Sequence, residues 1–301
     1  MTTSEVLTLN RKGVPFRGTL TGRFLGLALG IAPLLVFMGV FFFWPIWNVV
    51  WSSFQDNFGG FTFINYRVAF TEPYATAFKT SLGLALASAV SSAIPGAILA
   101  YIIESQGGER LRKLIASISG VLANTGGVPL AFMFIASLGF EGSATVFLKS
   151  LGIDLYDSGF SLFTFGGLVL VYTYFQIPMM VIVFSPAVQG IRREWREASR
   201  SLGASQLSFW RHVGVPLLFP SFFSAFLLLF ADAFSAYATA RAMTVGTIPL
   251  VTTMIGNLVD GNVINDQYNL GKALAVAMVV VSALAMIPYL IIQRRAERWQ
   301  K

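Results

Sequence analysis

Two places in this sequence hold side chains that could do chemistry. One is a polar segment running from Gly190 to Pro216. The other is Asp232, which follows a long charge-free run and has Ser235, Tyr237 and Thr239 close behind it. Elsewhere the material for catalysis is missing. With no cysteine, disulfide, thiolate–zinc and iron–sulfur chemistry are excluded. With His212 as the single histidine, so is a multi-histidine metal site. The phosphate-binding pattern G-x-x-x-x-G-K-[ST] is absent: Gly271-Lys272 lacks the upstream glycine and is followed by Ala273. The chain is therefore not expected to be an enzyme or to hydrolyse a nucleotide itself.

The elements that carry these residues are apolar. Hydrophobic residues make up 55% of the chain, charged residues only 12%, and the mean hydropathy is +0.69. That is about half the charge of a soluble domain. Charge-free runs occupy 24–55, 80–103, 114–140, 158–191, 212–231 and 273–293. Each is long enough to cross a bilayer as a helix, which takes about 20 residues. A seventh run, 242–259, carries Gly246, Pro249 and Gly256 and is expected to be a loop or a half-buried segment. The fold class expected is all-α integral membrane with six transmembrane helices.

Charge placement orients the spans. Arg11, Lys12, Arg17, Arg23, Arg110, Arg112, Lys113, Arg192, Arg193, Arg196, Arg200, Arg211, Arg294, Arg295, Arg298 and Lys301 fall on one side; Arg67, Lys79, Lys149, Arg241 and Lys272 fall on the other or in the spans. The basic side is expected to be cytoplasmic, with both termini there. Residues 1–23 then form a cytoplasmic tail, 24–54 a retained first helix, 65–295 a five-helix core and 296–301 a second cytoplasmic tail. Trp44, Trp47 and Trp51 fit the outer interface, and Pro33 and Pro45 predict kinks. Asp260 and Asp266, with Glu141, Asp154 and Asp157, make the outer side acidic.

Within 190–216, Trp195, Ala198 and Leu202 recur at helical spacing, with Arg193, Arg196, Glu197 and Arg200 on other faces. Gly203 predicts a helix stop and Ser205 the N-cap of a second piece, in which Leu207, Trp210 and Val213 share a face. Pro216 marks the return into the fifth span. Such an element cannot bury its apolar stripe against itself; it needs a partner, or it lies on lipid headgroups.

The spacing of this segment resembles the EAA motif of ABC-importer permeases, E-A-A-x3-G-x9-I-x-L-P. Here it reads Glu197-Ala198-Ser199, Gly203, Val213 and Val215-Pro216, with Ser199 for alanine, Val213 for isoleucine and Val215 for leucine. Asn65-Tyr66 with Phe70, Thr80-Ser81-Leu82, and Asn124 through Phe132 are similar to other stretches of such permeases. The resemblance covers about 65–295 and lies nearest the polyamine (spermidine/putrescine) branch, chiefly through 124–132 and 231–239.

The resemblance implies a type I importer permease that forms the translocation path by alternating access. Its partners would be two ATPase subunits holding ATP and Mg, a second permease subunit (the same chain or another), an extracytoplasmic substrate-binding protein and membrane lipid, with no nucleic acid and no cofactor on this chain. It implies a prokaryotic inner-membrane location. Glu197 would pair with a basic residue of an ATPase groove, Ala198 and Ser199 would allow close approach, and Gly203 would make the turn, with Ala204, Trp210 and Pro216 in the same coupling set. Asp232, with Ser235, Tyr237 and Thr239, is the candidate substrate path, apt for a polyamine. Asp232 is equally open to a packing role or to a place near interfacial water. Related branches carry sugars, iron, thiamine, phosphonate or sulfate. An ion-driven secondary transporter would need inverted repeats and more intramembrane ionisable groups.

Overall fold

The structure, a computed structural model, describes residues 30–56, 58–244, 247–260 and 267–299. The predicted tail 1–23, Asp266, and the final residues 300–301 lie outside the described residues. Twelve helices form among those described: α1 Gly30–Ser53, α2 Ile64–Ala69, α3 Tyr74–Gln106, α4 Glu109–Asn124, α5 Val128–Leu138, α6 Ser143–Ser150, α7 Phe165–Gln189, α8 Arg193–Ser201, α9 Gln206–Ser235, α10 Ala238–Thr244, α11 Val251–Val259 and α12 Tyr268–Trp299. No strand occurs among the described residues beyond an isolated bridge between Gln55 and Phe61. Six helical stretches have the length and hydropathy to cross a membrane: Gly30–Ser53, Tyr74–Ser105, Val128–Ser150, Phe165–Gln189, Gln206–Ser235 and Tyr268–Pro288.

The chain divides into two compact units, 1–51 and 52–301. In the first, α1 keeps its apolar side chains exposed, and Trp47 stacks on Trp51 at 6.4 Å. Its irregularity is a π turn, Gly39–Phe43, two residues ahead of Pro45. The same arrangement recurs in α9, where the π turn Trp210–Gly214 lies two residues ahead of Pro216. A proline cannot donate to the preceding turn, and a widened turn absorbs the mismatch without breaking the helix.

In the second unit α3, α7 and α9 pack on one another at the centre, α4 lies on α7, and α12 packs on α9 and α11. The contact between α3 and α7 is built from small side chains. Ser81, Ala85, Ser88, Ala89, Ser92, Ala93, Gly96 and Ala100 form one buried face of α3. This face seats α7 of the same chain. Lipid is as apolar as leucine, so close backbone approach rather than the hydrophobic effect holds such helices together. At Gly96 a Cβ would fall 2.6 Å from Met180 Cβ and 3.1 Å from the Ile177 carbonyl oxygen. The facing stripe of α7, which includes Leu168, Val171, Tyr172, Phe175, Met180 and Phe184, is buried at the helical period.

One polar group lies at the junction of all three helices. Gln176 is fully buried. Its Nε2 donates to the Leu229 carbonyl of α9 at 2.9 Å, and its Oε1 accepts from Ser92 Oγ of α3 at 3.0 Å. The sequence singled out neither partner, because a glutamine in an apolar run carries no periodic signal of its own.

The third span departs from expectation. The run 114–140 is two helices, broken at Thr125-Gly126-Gly127, where Gly127 has φ +81°. The long apolar stretch there is Val128–Ser150, which takes in α5 and α6. Absence of charge says nothing about backbone dihedrals; the Gly-Gly-x-Pro run carried the break signal. The stretch 242–259 is half-buried as expected, but it ends in a helix, α11, rather than a loop; Val251, Thr252, Thr253 and Leu258 are buried.

We expect Gly96→Val to destabilise the α3–α7 contact by about 1–3 kcal/mol, the usual cost of overpacking. Gly120→Val in α4, where a Cβ meets nothing within 4 Å, should cost well under that. Thermal unfolding of the two purified variants side by side checks the contrast.

Candidate functional site

The polar segment is a hairpin of two helices with a sharp corner. α7 ends at Gln189, and α8 starts after an extended Arg192, with Glu194 in its first turn and Arg200 in its last, as the helix dipole favours. The corner is closed by three backbone bonds: Leu202 N to the Ala198 carbonyl (3.1 Å), Gly203 N to Arg200 (2.9 Å) and Ala204 N to Ser199 (3.0 Å). The last two bonds form the Schellman pattern, which requires a left-handed residue, and Gly203 supplies it at φ +78°. A Cβ there would meet nothing, so the demand for glycine comes from the dihedral alone. Ser205 then caps α9, its Oγ accepting from Ser208 N at 3.2 Å, as its position predicted.

The root of the hairpin is firm. Phe209 is buried in the cluster that includes Val188 and Ile191. Trp210 is half-buried, edge-on to Tyr101 at 4.9 Å, and its ring lies so close over Gly214 that a Cβ there would collide with Cε3. Arg196 lies within cation–π reach of both rings, its Cζ 5.9 Å from the centre of Tyr101 and 5.8 Å from that of Trp210. The expected face of Leu207, Trp210 and Val213 is corrected here: Phe209 and Trp210 turn inward, while Leu207 is 79% exposed. The π turn, which adds a residue to the turn, shifts the inward side. Pro216 marks no break, since α9 runs through it.

The tip is apolar and uncovered. Leu202 is 87% exposed, and Leu207 across the corner is nearly as open. Glu197, Ala198 and Trp195 are exposed on α8, and Ser199 and Ala204 are half-buried. His212 Nδ1 lies 3.0 Å from the Ser208 carbonyl oxygen, one turn back on its own helix.

Asp232 sits near the far end of α9, about 24 Å from Pro216 at helical rise. It is half-buried, and its carboxylate has no hydrogen bond or ion pair among the described residues. Ser235 is exposed and donates to the Asp232 carbonyl at 3.1 Å. Tyr237 is partly exposed, with its ring against Gly256 of α11. Thr239 is buried, and its hydroxyl is engaged twice by the break between α4 and α5: it accepts from Gly127 N (2.9 Å) and donates to the Gly127 carbonyl (3.3 Å). The four residues expected along a path thus lie at one break, with Thr239 holding backbone. Tyr172, missed in the sequence, closes the same break from α7 by donating to the Ala236 carbonyl at 3.2 Å.

Several polar groups outside the spans shape loops. The Asp154 carboxylate pairs with Lys149 at 2.9 Å and accepts from Tyr156 N and Asp157 N. The bond from the Lys149 ammonium, helped by the Asp157 N–H, holds the Asp154 carboxyl below the usual carboxylate range. Asp56 accepts from Phe58 N and Gly60 N. Arg241 donates to Asn257. No group of three or more metal-ligating side chains occurs among the described residues.

Residues 93–301 match the family described as binding-protein-dependent transport system inner membrane component. The chain belongs to that family. It is an ABC-importer permease subunit and a multi-pass membrane protein, and the family is one of transporter permeases rather than enzymes. Similar proteins include the probable sulfate transport system permease protein cysT of Anthoceros angustus, 26% identical, covering 77% of this chain and 76% of that one. The sn-glycerol-3-phosphate transport system permease protein UgpA of Pectobacterium atrosepticum is 27% identical over 88% of this chain and 93% of its own. A spermidine/putrescine transport system permease PotC homolog of Mycoplasma genitalium is 33% identical over 26% of this chain and 28% of its own. Among solved structures, a chain of a bacterial ABC transporter involved in the import of the acidic polysaccharide alginate superposes with TM-score 0.71 at 17% identity, covering 93% of this permease and 97% of that chain, and so shares its fold.

Thr239→Val should remove both bonds to Gly127 and lower stability by about 1–3 kcal/mol, the cost of orphaning a buried backbone donor. Thr239→Ser, which keeps the hydroxyl, should lose less than half of that. Melting temperatures of the two purified variants test the difference.

Proposed function

We propose that the α8–α9 corner of this permease is the part that receives the ATPase stroke, and that the far end of α9 lines the path of a small cation of the polyamine class. The supporting observation is the exposed leucine pair at the corner. Leu202 and Leu207 project from a turn fixed by Gly203, and their root is locked by Phe209, Trp210 and Gly214. An apolar tip on an immobile base, rimmed by Glu197 and Arg200, suits a groove on another protein better than it suits water. Glu197, Ala198 and Ser199 are the contact strip, Gly203 and Ala204 the turn, and Trp210 and Pro216 the link into the span.

The sequence assigns 16 of its 21 basic side chains to the same predicted side as this corner, which favours a cytoplasmic corner and cytoplasmic termini. ATP and Mg reside on two partner ATPase subunits. A second permease subunit and an extracytoplasmic binding protein complete the machine. Closure of the ATPase pair draws the corners together and rocks the bundle, while the loaded binding protein biases the opposite state. Each input shifts the balance only by its differential affinity for the two states.

For the solute, the unpartnered carboxylate of Asp232 supports a cation, since a charge left half-buried is costly without a partner. A second reading, an anionic solute, is favoured by the names of the widely covering relatives, which specify sulfate and glycerol phosphate. A carboxylate in an anion path repels its cargo, so that reading places Asp232 in packing.

Two experiments separate these statements. Glu197→Lys and Gly203→Val should each cut uptake and lower recovery of the ATPase with the purified permease, while membrane insertion is kept; the valine forces a left-handed β-branched residue, a strain of about 1–2 kcal/mol. Normal uptake in both would remove the coupling role. Asp232→Asn should reduce transport of labelled spermidine in proteoliposomes at least tenfold, a loss of about 1.4 kcal/mol, modest for a desolvated charge partner. Undiminished transport of a sulfate or phosphate ester by the asparagine variant would support the second reading.

A further inference from the structure

Behind the corner, on the side of α8 that faces the bundle, lies a pocket that shares Ser199, Arg200, Ala204 and Trp210 with the proposed coupling segment but also draws on Arg196, which that role does not use. It has two compartments divided by Trp210. The first is an open groove of about 490 Å³, lined by Ile98 of α3, Phe184 of α7 and Phe219 and Phe222 of α9, and closed at one end by Tyr101 and Trp210. Its walls are apolar, and Ile98 and Phe219 are more than half exposed. The second is a smaller polar cleft bordered by Arg196, Ser199, Arg200, Gln206 and the other edge of Trp210. No carboxylate lines it.

The arginine between the compartments is under-satisfied. Arg196 lies over the Tyr101 and Trp210 rings at cation–π distance from each. Its Nε is buried and has no acceptor among the described residues. Buried donors are almost always paired, and the same guanidinium borders the polar cleft, where its other N–H groups have no carboxylate beside them. Arg200 adds a second guanidinium one turn along. Two positive charges, a pair of interfacial aromatics and an apolar trough opening beside them form the complement of an amphiphile with a negative head.

We propose that this composite pocket binds an anionic phospholipid of the surrounding bilayer. The headgroup phosphate sits at Arg196 and Arg200, where guanidinium N–H groups can grip two oxygens at once. One acyl chain lies along the Ile98–Phe222 groove. A zwitterionic lipid has the same chains, but its own cation cancels the attraction. The lipid therefore wedges the root of α8, between the corner and the bundle, and leaves the exposed tip free.

The test uses the full permease with its partner subunits in nanodiscs containing brominated phosphatidylglycerol or brominated phosphatidylcholine. Bromine quenches a tryptophan in contact with it, and the Trp210 signal is the difference between the native protein and Trp210→Phe. The expected result is a preference for the brominated phosphatidylglycerol of about fivefold per arginine engaged. Arg196→Gln with Arg200→Gln should abolish the preference, and Ala97→Phe, which fills the groove but keeps both arginines, should weaken quenching by both lipids. Native mass spectrometry of the unsubstituted complex, which depends on no variant, should show retained phosphatidylglycerol. Equal quenching by the two lipids would mean ordinary annular contact, and no quenching by either would mean that protein covers the groove; each result overturns the proposal, as does a preference that survives loss of both arginines.

Discussion

A backbone N–H or C=O inside an apolar bundle must find a partner, and this constraint decides how the permease can depart from plain helices. Among the described residues, three interruptions of its core each borrow a hydroxyl from another helix. Thr239 serves the break between α4 and α5 through Gly127. Tyr172 of α7 serves the break after α9 through Ala236. Ser81 of α3 accepts from Val251 N at 2.9 Å, where α11 begins. Gln176 does related work without a break, tying α3 to α9 from α7. The irregular half of the bundle is thus cross-braced by neutral groups, and no buried ion pair is needed there.

The corner follows the opposite rule. Its backbone is satisfied locally by the bonds around Gly203 and the Ser205 cap, and its root is packed by Phe209 and Trp210. Its apolar tip, Leu202 and Leu207, meets no cover among the described residues. The corner therefore ends in an exposed apolar surface, while the opposite end of α9 closes its backbone groups on neighbouring helices. The chemistry is divided in the same way: a lone carboxylate, Asp232, at one end of α9 and guanidinium groups at the other.

Much of this was legible in the residues. Six apolar runs gave the spans, Gly203 and Ser205 gave the stop and the cap at the positions observed, and the EAA spacing gave the family. What escaped was whatever depends on three-dimensional neighbours. The Thr125–Gly127 break hid within a charge-free run. Thr239 looked like one of a row of polar groups along a path, because a sequence cannot show that its hydroxyl meets Gly127, 112 positions earlier. Gln176 and Tyr172 were passed over for the same reason. The inward turn of Phe209 follows from the π geometry at Trp210–Gly214, which no period of 3.6 anticipates.

The uninterrupted course of α9 has a mechanical consequence. Its 30 residues make a rod about 45 Å long, which Gln176 clasps near Leu229. Because that clasp lies toward the Asp232 end, the rod is unequal-armed. If the corner is driven as proposed, a swing of the long limb would reach the short limb as a smaller excursion with greater thrust, a gearing-down that trades reach for force.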